Sequence, residues 1–98
     1  MNNVANTIFQ QLGGARFAAM TGAQFIMRDD GLNINLPARS AKNGCNVVRI
    51  TLTPADVYSV SFEKITVRQF KTLAAHEGIY CDMLQPLFEQ ETGLRCTI

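Results

Sequence analysis

Val4, Ile8, Phe9 and Leu12 follow the i, i+4, i+5, i+8 spacing of a single helix face and predict a helix over residues 4–12. Asn2, Asn3 or Asn6 would cap its start, because a short amide side chain accepts a hydrogen bond from an unpaired backbone N–H. Gly13-Gly14 would end it, since glycine takes the left-handed position after a helix without a Cβ clash. Residues 16–20 fit a short strand or an irregular packed segment, and Thr21-Gly22 marks a turn.

From Gln24 onward the period falls to two. Residues 24–28 read as a strand, and Asp29-Asp30-Gly31 carries the Asp-Gly signature of a tight hairpin. Leu32, Ile34 and Leu36 then alternate with Asn33 and Asn35, which predicts a strand with one face in the core. Pro37 stops it for want of a ladder donor, and residues 37–45 form a long polar, basic loop. A strand over 46–53 turns Val48, Ile50 and Leu52 inward and Val47, Arg49 and Thr51 outward. After a Thr53-Pro54-Ala55-Asp56 turn, a strand over 57–63 puts Tyr58, Val60 and Phe62 on one face. Residues 64–76 fit strand in part, through Ile65 and Val67, and are otherwise ambiguous.

Ile79, Met83, Leu84, Leu87 and Phe88 return to helical spacing. They predict a helix over about 83–92, capped by Asp82, with Gln85 in the capping-box position and Gly93 as its stop. The expected fold is α+β over 1–98 as one compact domain: an N-terminal helix, an antiparallel meander of three to five strands, and a C-terminal helix packed on the sheet.

Composition narrows the function classes. The chain is 47% hydrophobic, normal for a globular protein, but only 17% charged, which suits a surface that desolvates against a partner. A net charge of +1 excludes an acidic DNA mimic and any strong bulk attraction to nucleic acid. No apolar run is long enough to span a membrane. Three cysteines, Cys45, Cys81 and Cys96, with no C-x-x-C pair and no leader-like N-terminus, point to reduced thiols in a cytoplasm.

Candidate chemistry is sparse. One histidine and unpaired cysteines supply no zinc spacing, and Gly13-Gly14 matches no phosphate-binding fingerprint; no catalytic, cofactor or metal residue is assigned, and no cofactor or small-molecule substrate is expected. His76 and Cys81, five residues apart, are the one pair that nucleophilic catalysis would use, but the spacing is not diagnostic and no orienting group accompanies them, so a histidine in a connecting segment beside a half-buried cysteine is the preferred reading. The placement of charge is more informative. No acid lies between Asp30 and Asp56, where Arg39, Lys42 and Arg49 stand, and none between Glu63 and Glu77, where Lys64, Arg68 and Lys71 stand. If the meander brings these two groups together they form a cationic region for a phosphate backbone or an acidic protein surface. These six residues are the candidate contacts.

The run Gln10-Gln11-Leu12-Gly13-Gly14-x-Arg16-Phe17-x-x-Met20-Thr21-Gly22-Ala23 resembles the opening of a family of small phage and prophage accessory proteins. The similarity resumes at Asp56-Val57-Tyr58-Ser59-Val60-Ser61-Phe62, at Gly78-Ile79-Tyr80-Cys81-Asp82-Met83-Leu84 and at Phe88-Glu89-x-x-Thr92-Gly93-Leu94. Cys81 and Gln24 depart from the Ala and Lys expected there. Some members resemble type I-F anti-CRISPR proteins. The resemblance implies a non-enzymatic inhibitor that binds a CRISPR–Cas surveillance complex in the cytoplasm of an infected bacterial host. It would contact Cas subunits, guide RNA or both, and block target DNA recognition. It would act as a monomer or weak dimer without a membrane partner. The alternative is a self-associating phage structural or accessory protein that pairs through a sheet edge, with Val47 contributing.

Overall fold

Helix α1 (Asn3–Leu12) forms over the predicted stripe and buries Ala5, Ile8 and Leu12 completely. The computed structural model describes residues 3–37 and 44–94. Gly13 and Gly14 have φ of 126° and 62°, which L-residues rarely adopt. They end α1 at Leu12 as expected, and the chain then enters a second helix, α2 (Gly14–Thr21), which the pattern does not predict. The strand or irregular segment expected at 16–20 is therefore helical. Ala15, Ala18 and Ala19 supply the helix propensity, and Gly14, Phe17 and Thr21 fall on one buried side. Gly22, in the left-handed region, closes α2 with its N–H on the Ala18 carbonyl at 2.9 Å.

Five antiparallel strands follow: β1 (Gln24–Arg28), β2 (Gly31–Asn35), β3 (Val47–Leu52), β4 (Tyr58–Ile65) and β5 (Phe70–Ile79). They pair strictly in chain order, so the sheet is a meander with β1 and β5 at its edges. The register aligns Phe25, Ile34, Val48, Phe62 and Ala74 in one row across the sheet, and Met27, Leu32, Ile50, Val60 and His76 in another. The central members of these rows, Leu32, Ile34, Val48, Ile50, Val60 and Phe62, lie in the core, whereas Met27 at the β1 edge is exposed. The opposite face carries the row Ile26, Asn33, Arg49, Ser61 and Ala75. The ambiguous span 64–76 resolves into the end of β4 and most of β5. β5 breaks register with β4 twice, between Tyr58 and Val60 and between Phe62 and Glu63, which scrambles the simple alternation.

The C-terminal segment departs from expectation in detail. Ile79 closes β5 and is not helical, and a 3-10 turn (Cys81–Met83) precedes helix α3 (Leu84–Thr92). Asp82 makes no capping bond, and Met83 is 43% exposed. Gln85, instead of completing a capping box, sends Nε2 to the carbonyl of Leu12 in α1 at 2.7 Å. Gly93 stops the helix as predicted, with φ of 73°. Pro86 is its third residue, where no intrahelical amide partner is lost.

A single apolar cluster joins Ile8 and Leu12 of α1, Phe17 of α2, and Leu84 and Phe88 of α3 to Leu32, Ile34, Val48, Ile50, Val60 and Phe62 of the sheet. α1 lies against β1 and β2, and α3 against α1. Tyr58 hydroxyl donates to Gln11 Oε1 at 2.8 Å, tying β4 to α1. Among the described residues no helix is long and apolar enough to cross a membrane.

Candidate partner-binding surface

The β4–β5 hairpin extends past the core. Its turn, Val67-Arg68, is closed by Thr66 N–H on the Gln69 carbonyl at 2.7 Å and by the reciprocal bond at 3.4 Å. Every residue from 66 to 72 is exposed. The base of this arm is held by Asn46, whose side chain imitates a strand residue. Its Nδ2 donates to the Ile65 carbonyl at 2.6 Å, and its Oδ1 accepts from Ile65 N–H at 2.8 Å. The Asn46 backbone bonds Leu36 and Glu63 in addition. One residue thus ties the ends of three strands together. Asn46→Ala removes two bonds to a half-buried backbone. The expected loss is about 2 kcal/mol from two bonds of roughly 1 kcal/mol each, read as a lower urea midpoint with an unchanged m-value. An unchanged midpoint would show that water replaces the side chain without loss.

The six candidate cations separate. Lys64 and Lys71 are direct cross-strand partners on the arm, and Arg68 occupies its turn. Lys64 is half-buried and lies over Gly44, where a Cβ would stand 3.1 Å from its Cδ. Arg49 is elsewhere: it projects from the middle of the open sheet face, with Nε 2.9 Å from Glu63 Oε1. Ser61 donates to the other oxygen of the same carboxylate at 3.0 Å. Glu63 is buried and Arg49 pairs with it, so Arg49, with its side chain still 45% exposed, stands apart from the arm and holds the sheet as well as facing solvent. Arg39 and Lys42 lie outside the described residues.

The arm also presents two apolar residues that are not among the six candidate contacts. Val67 is fully exposed and Phe70 is 60% exposed. Phe70 pairs across the arm with Ile65, so these two share one side and Lys64 and Lys71 share the other. A phenylalanine in an apolar-rich stretch reads as core from sequence; only the length of the hairpin reveals that it is outside.

His76 and Cys81 are engaged separately. His76 Nε2 is 3.3 Å from Glu91 Oε2, and its ring is edge-on to Phe62. Cys81 is exposed and lines a cleft of about 380 Å³ with Val4, Thr7, Gln11, Leu52, Asp56, Tyr58 and Tyr80. Cys45 is buried beneath the sheet end, with Sγ directed at the Val47 carbonyl at 3.7 Å. Burial pushes the Cys45 thiol above its ordinary 9.0 and the Tyr58 hydroxyl above its ordinary 10.0. Iodoacetamide is therefore expected to modify Cys81 well before Cys45 in the native chain. Both buried groups hold their protons more tightly folded than unfolded. Their contribution to stability is complete below pH 9.0 and is lost as pH rises through the raised values. Urea midpoints measured upward from neutral pH should fall on the alkaline side; a flat profile would contradict the burial of both groups.

No family model matches the chain, and no curated protein or solved structure matches it either.

Proposed function

We propose that the chain is a phage-encoded, non-enzymatic inhibitor. In the cytoplasm of an infected bacterium it binds a type I-F CRISPR–Cas surveillance complex and blocks recognition of target DNA. The observation that carries this reading is the exposed arm, on which Lys64, Arg68 and Lys71 stand with Val67 and Phe70. The sequence has no acid between Glu63 and Glu77 to oppose them. The arm supplies local positive potential on a chain whose net charge is only +1, so attraction is directed to one place instead of spread over the surface. The resemblance of the 10–23 run to phage accessory proteins points the same way. The test is binding of target DNA to a purified effector complex with the chain in excess. The chain should abolish binding, and Arg68→Glu/Lys71→Glu should restore it. DNA binding that survives excess wild-type chain would sink the reading.

A second reading, a self-associating accessory protein, is favoured by one observation. The edge strand β1 is unbulged and exposes Ile26 by 50% and Met27 by 54%. Val47, in the central strand and half-buried, has no part in it. Light scattering that gives a stable oligomer dispersed by Ile26→Lys would favour this reading over the inhibitor.

A further inference from the structure

We propose that the β4–β5 arm takes single-stranded nucleic acid, with Phe70 as a stacking platform for a base and Lys71, Arg68 and Lys64 as the phosphate contacts. The proposal deepens the reading above and rests on the arm being the partner-binding surface. Three features favour a nucleic acid over an acidic protein. Lys64 and Lys71 are directly opposed across the strands, where like charges repel, and an anion relieves that repulsion. Protein interfaces are depleted in lysine at their centres, whereas phosphate binding uses it. Phe70, on the other side of the same arm, is 60% exposed, so its ring is not part of the core.

The geometry limits the path of the strand. Phe70 and the paired lysines project to opposite sides of the arm. β5 is an edge strand, so its outer side is not occupied by another strand of the sheet. A single strand running along that edge can lay one base on Phe70 and bring the neighbouring phosphates to Arg68 at the turn, to Lys71, and to Lys64 directly opposite it. A duplex cannot, because its bases are already stacked inside. Base–aromatic stacking tolerates any base, so the site is expected to be sequence-indifferent.

The test is fluorescence anisotropy with a labelled oligouridine of about twelve nucleotides, a length matched to known single-strand site sizes. The full chain should bind it and ignore a duplex of the same length. Affinity should fall with salt at a log–log slope of about −2, from three contacts at roughly −0.7 each. Phe70→Ala should weaken binding about tenfold at unchanged slope, by loss of stacking. Lys71→Ala should flatten the slope by about 0.7. Absence of oligouridine binding, or equal binding by Phe70→Ala, overturns the proposal, as does displacement of the oligonucleotide by polyglutamate with no dependence on Phe70. Residues 66–72 are outside the core, so the circular dichroism and melting of these variants should match wild type. Effector capture without oligonucleotide binding would defeat this proposal and leave the inhibitor standing. Oligonucleotide binding through Phe70 without effector capture would do the reverse.

Discussion

Gly31→Ala is expected to lower the stability of the chain by about 3 kcal/mol or more, the upper range for an overpacked site. Gly31 opens β2 opposite Thr51, and a Cβ there would collide with the Ile50 carbonyl oxygen in β3. Backbone cannot swing aside as a side chain can, so β2 and β3 must part. The same space is used by Arg28, whose Nη2 would be 2.7 Å from that Cβ. The guanidinium passes over Gly31 to donate to the Ile50 carbonyl at 2.9 Å and to Thr51 Oγ1 at 3.0 Å, while Nη1 pairs with Asp30 at 3.1 Å. Alanine therefore disturbs both the ladder and the clasp across it. Thermal melting should show a fall of more than about 10 °C, since 1 kcal/mol moves a domain of this size by roughly 4–8 °C. Arg28→Ala, which loses the clasp alone, should cost less. Equal melting of Gly31→Ala and wild type would mean that the strands are not so close.

Phe17→Ala should cost about 3–5 kcal/mol, the range for deleting a buried aromatic side chain. Phe17 is 0% exposed, and its ring lies 5.0 Å from Phe88 of α3 and 5.7 Å from Phe25 of β1. Phe25 in turn meets Phe9 of α1 at 5.0 Å. One side chain thus joins α2 to the last helix and the first strand. Edge-to-face contacts add to the area lost. Urea unfolding gives the value directly, and Phe17→Leu should recover most of it. A loss under about 1.5 kcal/mol would show that the neighbouring rings close the space.

Where local pattern and tertiary role agree, the sequence foretells the fold. Leu32, Ile34, Val48, Ile50, Val60 and Phe62 alternate as core residues of a meander, and they are the buried residues of its central strands. Asp29-Asp30 marks the β1–β2 turn. Agreement fails where a residue has two uses. Gly13-Gly14 reads as a stop and does end α1 at Leu12, but the same pair also opens α2, which a stop signal does not announce. β5 is masked by its two register shifts, which move successive residues to unexpected faces. Met83 and Ile79 share a helical spacing by chance, and the chain changes structure between them.

The candidate surface was legible only in part, because it depends on register. Charge order along the chain brings Lys64, Arg68 and Lys71 to notice. It groups Arg49 with them, since nothing in the linear order says that Glu63 will lie within 2.9 Å of it. Phe70 and Asn46 escape for a related reason. One is exposed, and the other holds a neighbouring strand, only because the hairpin is longer than the sheet behind it.

The matching of strand order to chain order has a kinetic consequence. Each strand of this sheet finds its partner across a short connection, except for β2 and β3, so hairpins can close one at a time with little chain entropy to overcome. The bond from Gln85 to Leu12 spans 73 residues and joins helices at opposite ends of the described chain. The cluster that holds the inward side chains of the sheet also takes in Leu84 and Phe88 of that helix. During synthesis the strands can therefore pair before α3 emerges, so the apolar cluster and the Gln85–Leu12 tie are completed only after the sheet has formed.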